Sequence, residues 1–141
     1  MKTSNTGVKL IQQWEGYRDT AYGDVGGVCT IGWGHTTNVC EGDVIDKETA
    51  LAYLKEDIEH AEKALERIVK VDLTSNQFDA LVSWVFNVGQ TAASNSTLVR
   101  LLNEEKYEYV PEQLARWNKV KGKPISGLIK RRAAEAVLWN T

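Results

Sequence analysis

Three side chains near the N-terminus combine types and spacing that could do chemistry: Glu15, Asp24 and Thr30, separated by eight and then five residues. Glu15 follows Trp14 and precedes Gly16 and Tyr17, at the end of a segment that reads as helix. A carboxyl there meets the negative end of the helix dipole and an aromatic environment, and both favour the form that keeps its proton. A proton held near neutral pH is what a general acid needs. Asp24 lies in the run Ala21 to Thr30, where Gly26 and Gly27 read as a hairpin turn. With a three-residue loop over 26–28, Asp24 pairs across from Thr30 and puts carboxylate beside hydroxyl. With a two-residue loop it faces Cys29 instead. An Asp beside a hydroxyl stays ionised and can hold a water between the two groups. Taken singly, Glu15 also fits a solvated helix end and Asp24 an ordinary turn residue. Together they match the acid-plus-base division of labour that glycosidic cleavage uses.

Such groups need a scaffold, and the remaining pattern describes one. The chain has 141 residues, 43% apolar and 26% charged, with 2 Pro. That suits one domain over 1–141 and excludes collagen, low-complexity and disordered chains. Residues 23–34 hold five of the 11 glycines, a density that marks turns rather than helix. Short β-prone pieces from Tyr17 to Thr36 predict a small hairpin-based antiparallel sheet. Before it, Asn5 or Thr6 can cap a first helix with Val8, Ile11 and Trp14 on one face, stopped by Gly16.

Everything beyond residue 46 reads as helix. Asp46 caps a long one over 47–69, whose apolar stripe is Leu51, Leu54, Ile58, Ala61, Leu65 and Ile68. At 1.5 Å per residue it spans about 35 Å, enough to cross a small domain. Thr74 and Gln77 form a capping-box pattern ahead of inward Phe78, Leu81, Val82 and Val85. Asn95 or Ser96 caps a short helix through Leu102, and Pro111 opens one carrying Leu114 and Trp117. Ser126 caps a last helix with Ile129, Ala133, Ala136 and Val137 inward. The expected class is α+β, mostly helical. A β-containing lobe covers about 15–46, a connecting helix about 47–69, and a helical lobe about 70–141 together with the first helix. A cleft between the lobes is the natural place for a site.

Trp14-Glu15-Gly16, Tyr22-x-Asp24 and Thr30-Ile31-Gly32-Trp33-Gly34-His35-Thr36 resemble the signature of the phage-type lysozymes, or endolysins. In that family Glu, eight residues, Asp, five residues and Thr lead into an Ile-Gly-aromatic-Gly-His run. The likeness continues through Gln77 to Leu81, Phe86 to Gly89, Ser96 to Leu98 and Arg131 to Glu135, and covers nearly the whole chain. It implies a lysozyme-like fold and a muramidase that hydrolyses the β-1,4 bond between N-acetylmuramic acid and N-acetylglucosamine, lysing a bacterial host. It implies Glu15 as general acid on the leaving oxygen, Asp24 steering or activating the attacking water, and Thr30 placing that water. Inversion at the anomeric carbon follows, with no cofactor and no metal. The implied partner is the glycan strand of peptidoglycan, reached in the wall after synthesis in the host cytoplasm. Some family members carry an N-terminal membrane segment; Met1 to Gly7 is not apolar. The chain therefore more resembles members released by a separate membrane-lesion protein, a holin.

Other groups invite other readings. The resemblance places an acid of the long helix against the loop histidine, so His35 is expected to bond Asp57 in a structural pair. That pair should hold the Asp57 carboxyl below its usual range. His35 with Cys29, or Cys40 with His60, fits no zinc-ligand spacing, and two Cys make no disulfide framework. The net charge is −2, which does not argue for nucleic acid, yet the charge is polarised. Residues 41–66 hold nine acids against three Lys, while 116–132 hold seven basic residues and no acid. Only Trp117 interleaves the basic run, so it reads as a contact for anionic peptidoglycan carboxylates or a membrane surface, or as a solvated helix face. Asn87 could hydrogen-bond Glu15 or a sugar amide, or serve as a helix cap. Asn87, Trp117 and Arg131 are the expected substrate contacts. No apolar run approaches the ~18 residues of a membrane span, so no stable membrane insertion is expected; the chain is also expected to be a monomer. The runner-up is a lysozyme-fold domain that binds wall without turnover. Glu15, Asp24 and Thr30 together speak against it, since a pure binding module has no physical need for all three.

Overall fold

The spine is α2, Lys47–Ile68, which runs without a break in the computed structural model, where residues 1–23 and 27–141 are described. Its start is fixed as the sequence predicts: the Asp46 carboxylate accepts from the Thr49 backbone N–H at 2.8 Å. Leu54, Ile58, Ala61 and Leu65 are buried, and Ala50 and Ala64 extend the inward face. Leu51, expected in the stripe, is 48% exposed, because that face is already filled by Ala50 and Leu54.

Helix α1, Asn5–Glu15, starts one residue earlier than expected, at Ser4. Ser4 does not cap it through its side chain. Its N–H donates to Asp79 at 2.9 Å, and its hydroxyl also donates to Asp79. The N–H and hydroxyl of Thr3 donate to Glu62 at 2.6 and 2.7 Å. Two buried carboxylates, on α2 and on α3 (Ser75–Val88), thus hold the entry to α1 and aim its far end. The far end is closed by Gly16 at φ 69°. Helix α3 carries both bonds of the Thr74–Gln77 capping box. Its residues Phe78 to Val85 are all buried and form the centre of the core.

Strands β1, Arg18–Gly23, and β2, Cys29–Gly32, pair antiparallel. Tyr22 faces Thr30 and Gly23 faces Cys29, so neither expected loop length holds. A Gly-Gly pair accepts positive φ at either position and so admits several loops. Asp24, Val25 and Gly26 lie outside the described residues. The other edge of β1 is held by 43–45, through Ala21 N–H to Asp43 carbonyl at 2.8 Å and Ile45 N–H to Asp19 carbonyl at 2.9 Å.

The helical body continues with α4, Gln90–Ser94, and α5, Thr97–Asn103, which Ser96 caps. A 3-10 turn at Tyr107–Tyr109 leads into α6, Val110–Ala115, with Pro111 in its first turn. Trp117 falls beyond α6 and packs edge-on against buried Trp84, 5.5 Å between ring centroids. The stretch after it is not helix. Strands β3, Lys119–Val120, and β4, Lys123–Pro124, form a small hairpin turned at Lys121 and Gly122, with φ 51° and 79°.

The last helix, α7, Ser126–Trp139, presents a face other than the expected one. Ser126 is its first helical residue and not its cap. Ile129, Ala133 and Val137 are exposed, while Arg131, Arg132, Glu135 and Trp139 are buried. The charged side chains pair in charge with one another and reach Ser83 on α3, so this face can turn inward, although Arg131 Nε, Arg132 Nε and Nη1 and Glu135 Oε1 make no hydrogen bond among the described residues. None of the described helices is long and apolar enough to cross a membrane.

Candidate active site

Glu15 is the last residue of α1, and its side chain is 18% exposed. Arg131 Nη1 donates to its Oε2 at 2.5 Å. The opposite side of the carboxyl is covered by Gly34, at φ 76°. A Cβ built on Gly34 would lie 2.7 Å from Glu15 Cδ, so only glycine fits both the backbone and the space. The Gly34 turn is tight because Ile31 and His35 exchange both backbone bonds at 2.9 Å. Thr30 is buried on β2, and its hydroxyl donates to the Val28 carbonyl at 3.1 Å. With its proton used there, the oxygen keeps lone pairs that can accept from a water.

Behind Glu15 lies a buried ion network that the sequence pattern did not reveal. Arg131 Nη2 donates to the Ser83 carbonyl at 3.0 Å, and Arg131 Nε lies 3.4 Å from Glu135 Oε2. Arg132 Nη2 donates to Glu135 Oε2 at 3.0 Å, and Ser83 Oγ donates to the same oxygen at 2.6 Å. Burial pushes the Glu135 carboxyl up, against the pull of Arg132, Arg131 and Ser83. Burial likewise lowers Arg132. Arg131, expected among the sugar contacts, is only 3% exposed, with Nη1 on Glu15, Nη2 on Ser83 and Nε 3.4 Å from Glu135 without a hydrogen bond. Its guanidinium meets the Glu15 carboxyl. Arg131 and Arg132 also drop out of the exposed basic run.

His35 and Asp57 come together: His35 Nδ1 lies 2.8 Å from Asp57 Oδ2, and the imidazole stacks on Tyr53 at 4.0 Å. The expected depression of Asp57 does not hold. Burial pushes its carboxyl up and outweighs the His35 hydrogen bond that pulls it down. Beside this pair opens a cavity of about 540 Å³, bordered by Gly34, Thr36, His60, Arg67, Phe86 and Gln90. Gly34 joins it to Glu15. Sequence reasoning missed Arg67 and Gln90. The signal for Arg67 was the spacing of Asp57, His60, Ala64 and Arg67, which share one face of α2; Gln90, on α4, had none.

Asn87, exposed in the last turn of α3, and half-buried Trp117 share a second pocket of about 360 Å³ with Arg116, Lys119 and Val120. Glu15 is not among its lining residues. Cys29 and Cys40 are free thiols.

Known proteins carry the same arrangement of elements. The family model described as phage lysozyme matches residues 12–135. The endolysin of Acyrthosiphon pisum secondary endosymbiont phage 1 is 45% identical over 145 residues, covering 100% of this chain and 99% of the relative. Among solved structures, the muramidase domain of SpmX from Asticaccaulis excentricus superposes with TM-score 0.89 at 37% identity, over 99% of this chain and 98% of its own. An endolysin from Escherichia coli O157:H7 phage FAHEc1 gives TM-score 0.86 at 37% identity, over 99% and 93%.

Proposed function

The chain belongs to the phage lysozyme family and is a glycoside hydrolase of the lysozyme type, a muramidase acting on peptidoglycan; from that premise we propose a division of labour among its site residues. Glu15 is the general acid that protonates the leaving glycosidic oxygen. The observation that carries this is the position of its carboxyl against the Gly34 backbone at the edge of the cleft, where the Arg131 hydrogen bond fixes its orientation. Thr30 accepts a hydrogen bond from the attacking water, an assignment supported by the engagement of its own proton with Val28. Asp24 orients that water and stabilises the oxocarbenium-like centre. Water then enters opposite the leaving group in a single displacement, and the configuration inverts. Asn87 and Trp117 contact substrate beyond the reacting centre, and the His35–Asp57 pair fixes the loop.

The two lobes act as one domain and as a monomer. Family membership also supports synthesis in the host cytoplasm and access to the wall through a lesion made by a holin. Replacing Glu15 by Gln keeps the shape and removes the acid. Release of reducing ends from peptidoglycan should fall by about 10²–10⁴ in a variant that still folds. The first product of the unaltered enzyme should be the α anomer. A tenth of the activity retained in the Gln variant would move the acid elsewhere. A β anomer formed first would make Asp24 a nucleophile.

A further inference from the structure

The cleft cavity carries a charge that the muramidase reading leaves unused. Arg67 lies in the last turn of α2, ten residues and about 15 Å along the helix from Asp57. Its Nη2 donates to Gln90 Oε1 at 2.7 Å, a bridge between α2 and α4. Gln90 is neutral, and among the described residues no carboxylate lies within 4.0 Å of the Arg67 guanidinium. Of the other ionisable groups on the cavity wall, Asp57 is bonded to His35 at 2.8 Å, and His60 is exposed with Glu56 4.0 Å away. Arg67 therefore brings to the cleft a cation that is held in place and not neutralised. Neutral N-acetyl sugars have no charge to meet it. Peptidoglycan differs from other β-1,4 N-acetyl glycans by the lactyl carboxyl of muramic acid, either free or carrying a stem peptide with carboxylates of its own.

We propose that Arg67, held by Gln90, binds a substrate carboxylate and makes the cleft selective for acid-bearing glycan; this deepens the muramidase reading and rests on it. Gln90 engages one N–H and leaves the remaining donors of the fork, which match a carboxylate in shape and charge. The cavity places this contact beside the glycan path, in continuity with Gly34 and the acid it covers.

The test compares three glycan strands: one bearing stem peptides, one stripped of peptide with free lactyl carboxylates, and one stripped with those carboxyls amidated. The readout is kcat/KM on each charged strand divided by kcat/KM on the neutral one. In Arg67→Gln at least one of these ratios should fall about tenfold, as for loss of a charge-assisted bond. Arg67→Lys, which keeps the charge and loses the fork, should fall about threefold. A fall confined to the peptide-bearing strand identifies a stem-peptide carboxylate. A fall on both charged strands identifies the lactyl carboxylate. Unchanged ratios in Arg67→Gln, including an equal loss on all three strands, would overturn the proposal. Failure of the muramidase reading would look different: the unaltered enzyme would release no reducing ends from any strand, and the proposal would fall with it.

Discussion

Helices α2 and α7 both pack on α3, yet they do so by opposite means. The inward face of α2 is a stripe of Ala50, Leu54, Ile58, Ala61, Ala64 and Leu65. The inward face of α7 is Arg131, Arg132, Glu135 and Trp139, with Ile129 and Val137 left to solvent. Apolar burial is non-directional and scales with area, so α2 fixes separation and leaves its polar side free to line the cleft. Buried charges must be matched in position, and a matched network adds little stability over an apolar replacement. What α7 gains is placement. Arg131 is pinned by Ser83 and Glu135 and so presents one fixed nitrogen to Glu15. The helix that holds the Glu15 carboxyl builds its inward face on a charge network, whereas the helix that spans the molecule buries one carboxylate, Glu62, beside an apolar stripe.

The largest effect expected from this contrast is at Glu135. Glu135→Gln leaves buried Arg132 without a counter-charge and Arg131 with Glu15 alone, and should cost about 3–5 kcal/mol, lowering Tm by about 10 °C. The rate of the folded enzyme should fall too, since Arg131 is no longer held. Arg132→Met with Glu135→Leu should regain most of the stability but not the kcat. A Gln variant melting within about 2 °C of the parent would show that the network holds nothing. On α2 the matched change is Leu65→Ala, at a residue 1% exposed. It should cost about 3 kcal/mol through the cavity it leaves, with kcat of the folded fraction unaltered. A parallel loss of kcat would erase the distinction between the two helices.

The same contrast explains what was legible in the sequence. Spacings of three and four in α2, the Asp46 cap and the Thr74–Gln77 box are local signals, and each element formed where they stood. Glu15 and Thr30 stood out because their spacing belongs to one short segment. The face of α7 was not legible, since Arg131 and Arg132, four and three residues before Glu135, look the same in a buried network as on a solvated surface. The contact of Arg131 with Glu15 spans 116 residues, and no local pattern encodes it. The β1–β2 register was lost to the freedom of Gly-Gly. The hairpin at 119–124 has strands of two residues and turns on Lys121 and Gly122, without the usual Asn-Gly signal.

The smallest effect is on the polar side of α2, and it tests whether burial or pairing governs Asp57. Its carboxyl is pushed above its ordinary value of 3.8, first by burial, with the His35 bond pulling the other way. A carboxyl raised in the folded state binds its proton more tightly there than in the unfolded chain. Its favourable contribution is thus fully present below about pH 3.8 and fades as pH rises through the folded value. Asp57→Asn keeps an acceptor for His35 Nδ1 and removes the titration. The Tm of the parent minus that of Asp57→Asn should therefore be most positive at the acid end and decline by about 2 °C as pH rises. The scan should stay below about pH 5.5, within the carboxylate range. Reversibility at each pH can be checked by a second melt. A difference that grows with pH over the same window would mean that the hydrogen bond to His35 outweighs burial. The pair would then stabilise the loop as an ion pair, and the polar side of α2 would work by the same matched charges as the inner face of α7.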